Sequence, residues 1–98
     1  MRAVAIGILI LGAVTMADQA IALDGAAIYA SNCAVCHNNL NPKLGDKAAW
    51  APRIAQGEDA LVAAVIQGKG MMRPRAGKPS LSDDEIKAAV EYIESESK

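Results

Sequence analysis

The chain is 98 residues long, room for one small domain at most. It is 52% hydrophobic yet has no Phe, one Trp and two Tyr, so its core has few large side chains, and chains of this size usually need a staple. Lys and Arg total 10 against 11 Asp and Glu, and the resulting net charge of −1 argues against a nucleic-acid binder.

Residues 1–22 read as an export signal. Arg2 gives a short positive start, Ala3 to Val14 is an uncharged apolar run, and Ala20-Ile21-Ala22 puts small residues where signal peptidase inspects them. The alternative is an uncleaved membrane anchor, but the run falls short of the roughly 20 apolar residues of a span, and Asp18 interrupts it. Cleavage after Ala22 is expected, leaving residues 23–98 as the mature domain.

Leu23 to His37 is expected to form the first helix. Asp24 is a good N-cap, and Leu23 and Ile28 sit where a hydrophobic staple needs them. Ile28 and Tyr29 should face inward. Gly25 lies four residues before Tyr29 on the same face, where it either admits a closely crossing second helix or is an ordinary helix glycine.

This helix ends in Cys33-Ala34-Val35-Cys36-His37, the C-x-x-C-H signature of covalent haem attachment. Cysteines three apart on a helix project from nearly the same side, so each thiol can add to one haem vinyl group. The adjacent imidazole of His37 can then bind the iron. A thioredoxin-like pair belongs beside a strand in a βαβ unit, and no strand pattern is nearby. A zinc site needs four ligands, and two Cys with one His supply three. A structural disulfide leaves His37 unexplained.

Asn38 to Lys47 is a loop rich in Asn, Pro and Gly. Ligating histidines usually donate their second ring nitrogen to a carbonyl, and Asn41-Pro42 is a candidate source. Ala48 to Gln56 follows as a helix with Trp50 and Arg53 on one face. Given a haem, Trp50 would pack on it and one or both residues would donate to a propionate; otherwise they are a core Trp and a solvated Arg. Gly57 to Gly68 forms a third helix, with Glu58 and Asp59 in its favourable first turn and Leu61, Ala64, Val65 and Ile66 on its apolar side. It reads as a packing element.

Lys69 to Pro79 is an irregular loop holding two adjacent methionines. An electron-transfer haem takes a soft axial sulfur opposite its histidine, so one of Met71 and Met72 is expected to be the sixth ligand; alternatively both are apolar covers for the haem edge. The last helix starts at a capping box, Ser82 with Glu85, flanked by Leu81 and Ile86 as a staple. Ile86, Ala89, Val90 and Ile93 then repeat at helical spacing.

From Leu23 to its end the chain resembles the class I c-type cytochromes, and more narrowly the bacterial cytochrome c5 type. The shared pattern runs through Gly25, Tyr29, the Cys33–His37 motif, Pro42-Lys43-Leu44-Gly45-Asp46, Trp50, Arg53, Gly68, the methionine loop and Ala89-Val90-Glu91-Tyr92. The resemblance implies a small all-α cytochrome c fold, its first and last helices crossed around one covalently bound haem c. It implies maturation outside the cytoplasmic membrane, hence a periplasmic protein. Pro74 keeps the register of the family's ligand loop and makes Met72 the implied ligand over Met71, although Met72-Arg73-Pro74 replaces the usual Met-Pro-Pro. The family's further Cys pair before the last helix is replaced here by Gly77-Lys78-Pro79-Ser80.

The implied function is single-electron transfer between a redox donor and acceptor protein, a membrane-bound oxidase or reductase among the candidates, by a monomer with no small-molecule substrate and no catalytic residue. The alternatives are a haem c subunit of a larger enzyme, or a haem sensor or peroxidase if the methionine can leave. Basic Lys69, Arg73, Arg75 and Lys78 in the methionine loop, against acidic Asp83, Asp84, Glu85, Glu91, Glu94 and Glu96 on the last helix, suggest a dipolar docking surface; ordinary solvated charge is the alternative.

Overall fold

The computed structural model describes residues 23–98; the expected export signal, residues 1–22, lies outside them. Among the described residues there are five α-helices and no strand: α1 Gly25–Asn32, α2 Ala34–His37, α3 Lys47–Ile54, α4 Glu58–Gln67 and α5 Asp83–Ser97. None of these helices is long and apolar enough to cross a membrane.

The first helix is not continuous. Asp24 caps α1 as expected, its carboxylate accepting from Ala27 N at 3.1 Å. At Cys33 the backbone departs from helix (φ −115°) before α2 resumes. The Asn32 side chain donates to Ile28 O at 2.9 Å, competing locally with the backbone ladder. The kink separates Cys33 from the short helix that carries Cys36 and His37.

α1 crosses α5 at Gly25. A methyl group on Gly25 would overlap the Ala88 carbonyl oxygen and sit 2.9 Å from its carbonyl carbon, so the absent side chain sets the spacing. One turn on, the rings of Tyr29 and Tyr92 pack with centroids 5.5 Å apart, tilted 49°. Tyr29 is buried and its hydroxyl donates to Asn38 Oδ1 at 2.6 Å. Of the two readings of Gly25, the close crossing is what the structure contains.

The start of α5 forms as the sequence predicts. Glu85 N donates to Ser82 Oγ at 3.0 Å and Ser82 N to Glu85 Oε1 at 2.9 Å, completing the capping box. Leu81 and Ile86 are buried together with Val90, against Ile28, Leu61, Val62, Val65 and Ile66. A second cluster joins Tyr29, Trp50 and Ile93. Burying an Ile side chain such as Ile86 contributes about 1.5–3 kcal/mol. The buried stripe of α5 extends one turn past its last apolar residue, to Glu94 and Ser97.

α3 opens on Asp46, whose side chain accepts from Ala49 N at 3.1 Å. Pro52 lies inside it and supplies no backbone N–H, and the helix ends two residues later. α4 runs between Gly57 (φ +100°) and Gly68 (φ +84°), both in backbone regions that favour glycine.

Candidate functional site

The Cys33–His37 motif lies along one wall of a cavity of about 770 Å³, within the roughly 300–1,000 Å³ typical of ligand sites. Cys33 is half-buried and Cys36 exposed, both as free thiols. Burial pushes the Cys33 thiol up, the nearby Cys36 adds to the rise, and Lys78 opposes it. His37 Nδ1 lies 2.8 Å from Pro42 O. A carbonyl only accepts, so Nδ1 carries the proton and the Nε2 lone pair is left free for a metal. The Asn41-Pro42 expectation is thereby narrowed to the Pro42 carbonyl.

That carbonyl belongs to a pinned loop. Leu44 N donates back to His37 O at 2.7 Å. Trp50 Nε1 donates to Lys43 O at 2.8 Å, and Gly45 N donates to Ser97 Oγ at 2.8 Å. Trp50 also stacks obliquely on His37, centroids 5.7 Å apart. Trp50 and Arg53 both line the cavity. The single indole N–H of Trp50 is engaged by Lys43 O. Arg53 Nη1 donates to Ala49 O at 2.5 Å, leaving its other N–H groups available.

α4 and α5 form the apolar side of the cavity through Ala60, Leu61, Ala64, Val65, Ile86, Ala89, Val90 and Ile93. α4 is therefore more than the packing element its sequence suggests, because its small and branched residues also shape this cavity. Past Gly68 the chain turns tightly, with Lys69 N on Met72 O at 2.9 Å and Met72 N on Lys69 O at 3.0 Å. A methyl on Gly68 would come within 2.8 Å of Pro74 N and 2.9 Å of Met72 O. Met71 and Met72 both line the cavity. They differ in burial: Met71 is 93% exposed and Met72 half-buried.

The basic loop is not uniformly free. Lys69 and Arg73 stand exposed at the cavity, and Lys78 Nζ reaches Asn32 Oδ1 at 3.2 Å. Arg75 is paired with Asp83 at 2.6 Å and also donates to Leu81 O at 2.7 Å. Its charge therefore leaves the expected docking set. Sequence reasoning also missed Ser97, 1% exposed; the available signal was that it continues the Ile86, Val90, Ile93 spacing on the buried face of α5.

Two thiols, one oriented imidazole and two thioethers thus border one apolar cavity with basic groups at its mouth, and this donor set fits a covalently held haem. The competing readings lack parts: no strand accompanies the Cys pair, and no group of three or more His, Cys, Asp or Glu that could hold a metal occurs among the described residues.

Comparison with known proteins gives relatives across most of the chain. A family model described as cytochrome c oxidase, cbb3-type, subunit III matches residues 20–93. Cytochrome c-555 of Chlorobaculum thiosulfatiphilum is 46% identical over 81 residues, covering 76% of this chain and 94% of that protein. Cytochrome c5 of Azotobacter vinelandii is 40% identical over 74 residues, covering 70% of this chain and 89% of that one. Among solved structures, the crystal structure of an electron transfer complex of nitrite reductase with cytochrome c contains a chain similar to this one at TM-score 0.73 and 46% identity. The match covers 79% of this chain and 100% of that chain.

Proposed function

The chain belongs to the class I c-type cytochromes, and on that premise we propose that it is an exported carrier whose single haem c is ligated by His37 and Met72. The observation that carries the reading is the meeting of Cys33, Cys36, His37 and Met72 at one cavity, with the tautomer of His37 fixed by Pro42 O.

When bound, the haem supplies a one-electron couple, and thioether ligation raises its potential by favouring the reduced state. Cys33 and Cys36 hold the group to the chain. His37 presents Nε2, and the loop bonds at Pro42, Lys43 and Gly45 keep its ring from turning. Met72, the more buried methionine, would supply the sulfur that holds the iron, while Met71 is a rim residue. Leu61, Val65, Ile86 and Val90 exclude water. Trp50 walls the cavity, and Arg53 is the better placed of the two to donate to a carboxylate. With a haem held by His37 and Met72, no iron position would be left for a small substrate. The role is electron transfer between a donor and an acceptor protein, without catalysis.

Exposed Val35, Leu40 and Met71 border the cavity with Lys69 and Arg73, a surface that suits an acidic redox partner. Residues 1–22 serve as the export signal, cleaved after Ala22, and the carrier works in the periplasm. A second reading, a haem c subunit of a larger oxidase, is favoured by the description of the matching family. The free carrier is favoured by relatives covered over 89–94% of their own length.

The test is purification of the exported protein. The account expects haem that stays with the polypeptide on a denaturing gel and a reduced spectrum unchanged by carbon monoxide. A colourless protein with two titratable thiols overturns the haem reading. Carbon monoxide binding without denaturant overturns the carrier in favour of a sensor or peroxidase.

A further inference from the structure

We propose that Arg75 is a positioning residue for Met72: its guanidinium ties the methionine segment to the start of α5 by a latch that salt can loosen. This inference rests on Met72 being the axial sulfur and adds what keeps it there.

The segment 69–80 has little of its own to hold it. Its internal bonds are short-range: the Lys69–Met72 pair, Ala76 N to Arg73 O at 3.0 Å and Lys78 N to Arg75 O at 2.9 Å. Arg75 and Ala76 both have φ +55°, and Gly77 follows at +78°. L-residues enter that region only when surrounding structure holds them there, and two in succession require more than a turn's own bonds. Ala76 lines the cavity, so the left-handed stretch is part of its wall.

Among the described residues, the side-chain bonds leaving this segment come from two residues. Lys78 Nζ reaches Asn32 Oδ1 at 3.2 Å, a long contact on an exposed side chain. Arg75 makes the stronger pair, Nη1 to Leu81 O at 2.7 Å and Nη2 to Asp83 Oδ1 at 2.6 Å. Leu81 is buried and also lines the cavity. Asp83 sits in the first turn of α5, where the helix dipole already favours its negative charge. One planar guanidinium therefore joins the strained turn to the cavity wall and to the end of the longest helix.

The two halves of the latch differ in their response to salt. The Leu81 carbonyl bond is to a neutral, sheltered acceptor. The ion pair is open, its side chains 30% and 66% exposed, so mobile ions screen it.

The experiment titrates the oxidised holoprotein with imidazole, at a pH where imidazole is neutral, and follows loss of the methionine-to-iron absorption band. A neutral competitor has little salt dependence of its own, so a salt effect reports the latch. Arg75→Ala should raise apparent imidazole affinity about tenfold, both charged hydrogen bonds being lost. Asp83→Asn should raise it about threefold and abolish the salt dependence of the unaltered protein. Arg75→Lys, keeping the charge without the fork, should fall between the unaltered protein and Arg75→Ala. Should Arg75→Ala fail to fold, Asp83→Asn, altered only at an exposed carboxylate, decides alone. Affinities within twofold of the unaltered protein, or a salt dependence that survives Asp83→Asn, overturn the latch and leave Met72 as ligand. Absence of the band from the unaltered protein overturns both.

Discussion

The loop after His37 and the segment around Met72 border the same cavity but are held by different forces. On the histidine side the bonds that hold the imidazole and its carbonyl partner are neutral: Pro42 O, His37 O and Lys43 O accept at 2.7–2.8 Å, and Ser97 Oγ takes Gly45 N. On the methionine side the side-chain ties that leave the segment come from charged donors, and two non-glycine residues sit at positive φ. Helix α5 serves both, its last turn gripping one loop through Ser97 and its first turn the other through Asp83. Neutral bonds in partly buried places ignore salt, whereas an open ion pair does not. The comparison therefore makes the nitrogen side fixed and the sulfur side adjustable.

The strongest way to break that contrast is to damage the methionine side without touching a ligand. Gly68→Ala puts a methyl against Pro74 N and Met72 O at a backbone position (φ +84°, ψ 156°) that is close to glycine-only. It should cost about 3 kcal/mol in denaturant unfolding of the holoprotein and weaken the methionine-to-iron band while haem attachment persists. Retention of both stability and band would mean that the segment adapts freely and is not constrained by its approach to α4.

On the histidine side, Trp50→Phe keeps the packing against His37 but removes the shorter of two bonds to the Lys43 carbonyl, which keeps Asp46 N at 3.1 Å. The expected loss is about 1–2 kcal/mol, the same at low and high salt. Smaller still is Ser97→Ala, which leaves Gly45 N without its acceptor and should cost about 1 kcal/mol, again without salt dependence. A strong salt dependence in either variant would erase the distinction between the two sides.

The smallest effect lies away from both loops. Burial, together with a hydrogen bond to Glu58 and the charge of that neighbour, pushes the Glu94 carboxyl up, with Lys98 opposing. The folded chain thus holds this proton more tightly than the unfolded chain. Its contribution to stability is greatest below the ordinary carboxylate range and declines as pH rises through that range toward the raised folded value. Glu94→Gln should flatten the decline in denaturation curves taken on either side of the range; an unchanged pH slope would remove Glu94 as its source. Lys87, which pairs with both Glu91 and Glu58, is held up to about 12 by its hydrogen bonds to them, so it stays charged throughout such an experiment.

Much of this architecture is legible in the chain. The capping box at Ser82 and Glu85, the period of Ile86 to Ile93, and the five residues Cys33–His37 each carry a local signal strong enough to survive folding. The Cys33 kink was not legible, because a helical pattern continues on both sides of it and no Gly or Pro marks the break. Arg75 could be read only as a loop cation. Its partners are six and eight residues away across a left-handed turn that no sequence period announces. The role of α4 in the cavity was hidden for another reason: Leu61 and Val65 are apolar for packing and for a cofactor wall alike, and only their shared space with Cys36 and His37 tells the two apart. Gly25 shows the intermediate case, where spacing allowed a close crossing and Ala88 had to be seen beside it to establish one.

The central claim is that this polypeptide grips haem iron with nitrogen from His37 and sulfur from Met72. The direct measurement is the visible spectrum of the oxidised holoprotein in two single variants. The account predicts that Met71→Ala retains the methionine-to-iron band and that Met72→Ala abolishes it while haem stays covalently attached. A band that survives Met72→Ala, or disappears with Met71→Ala alone, would contradict it.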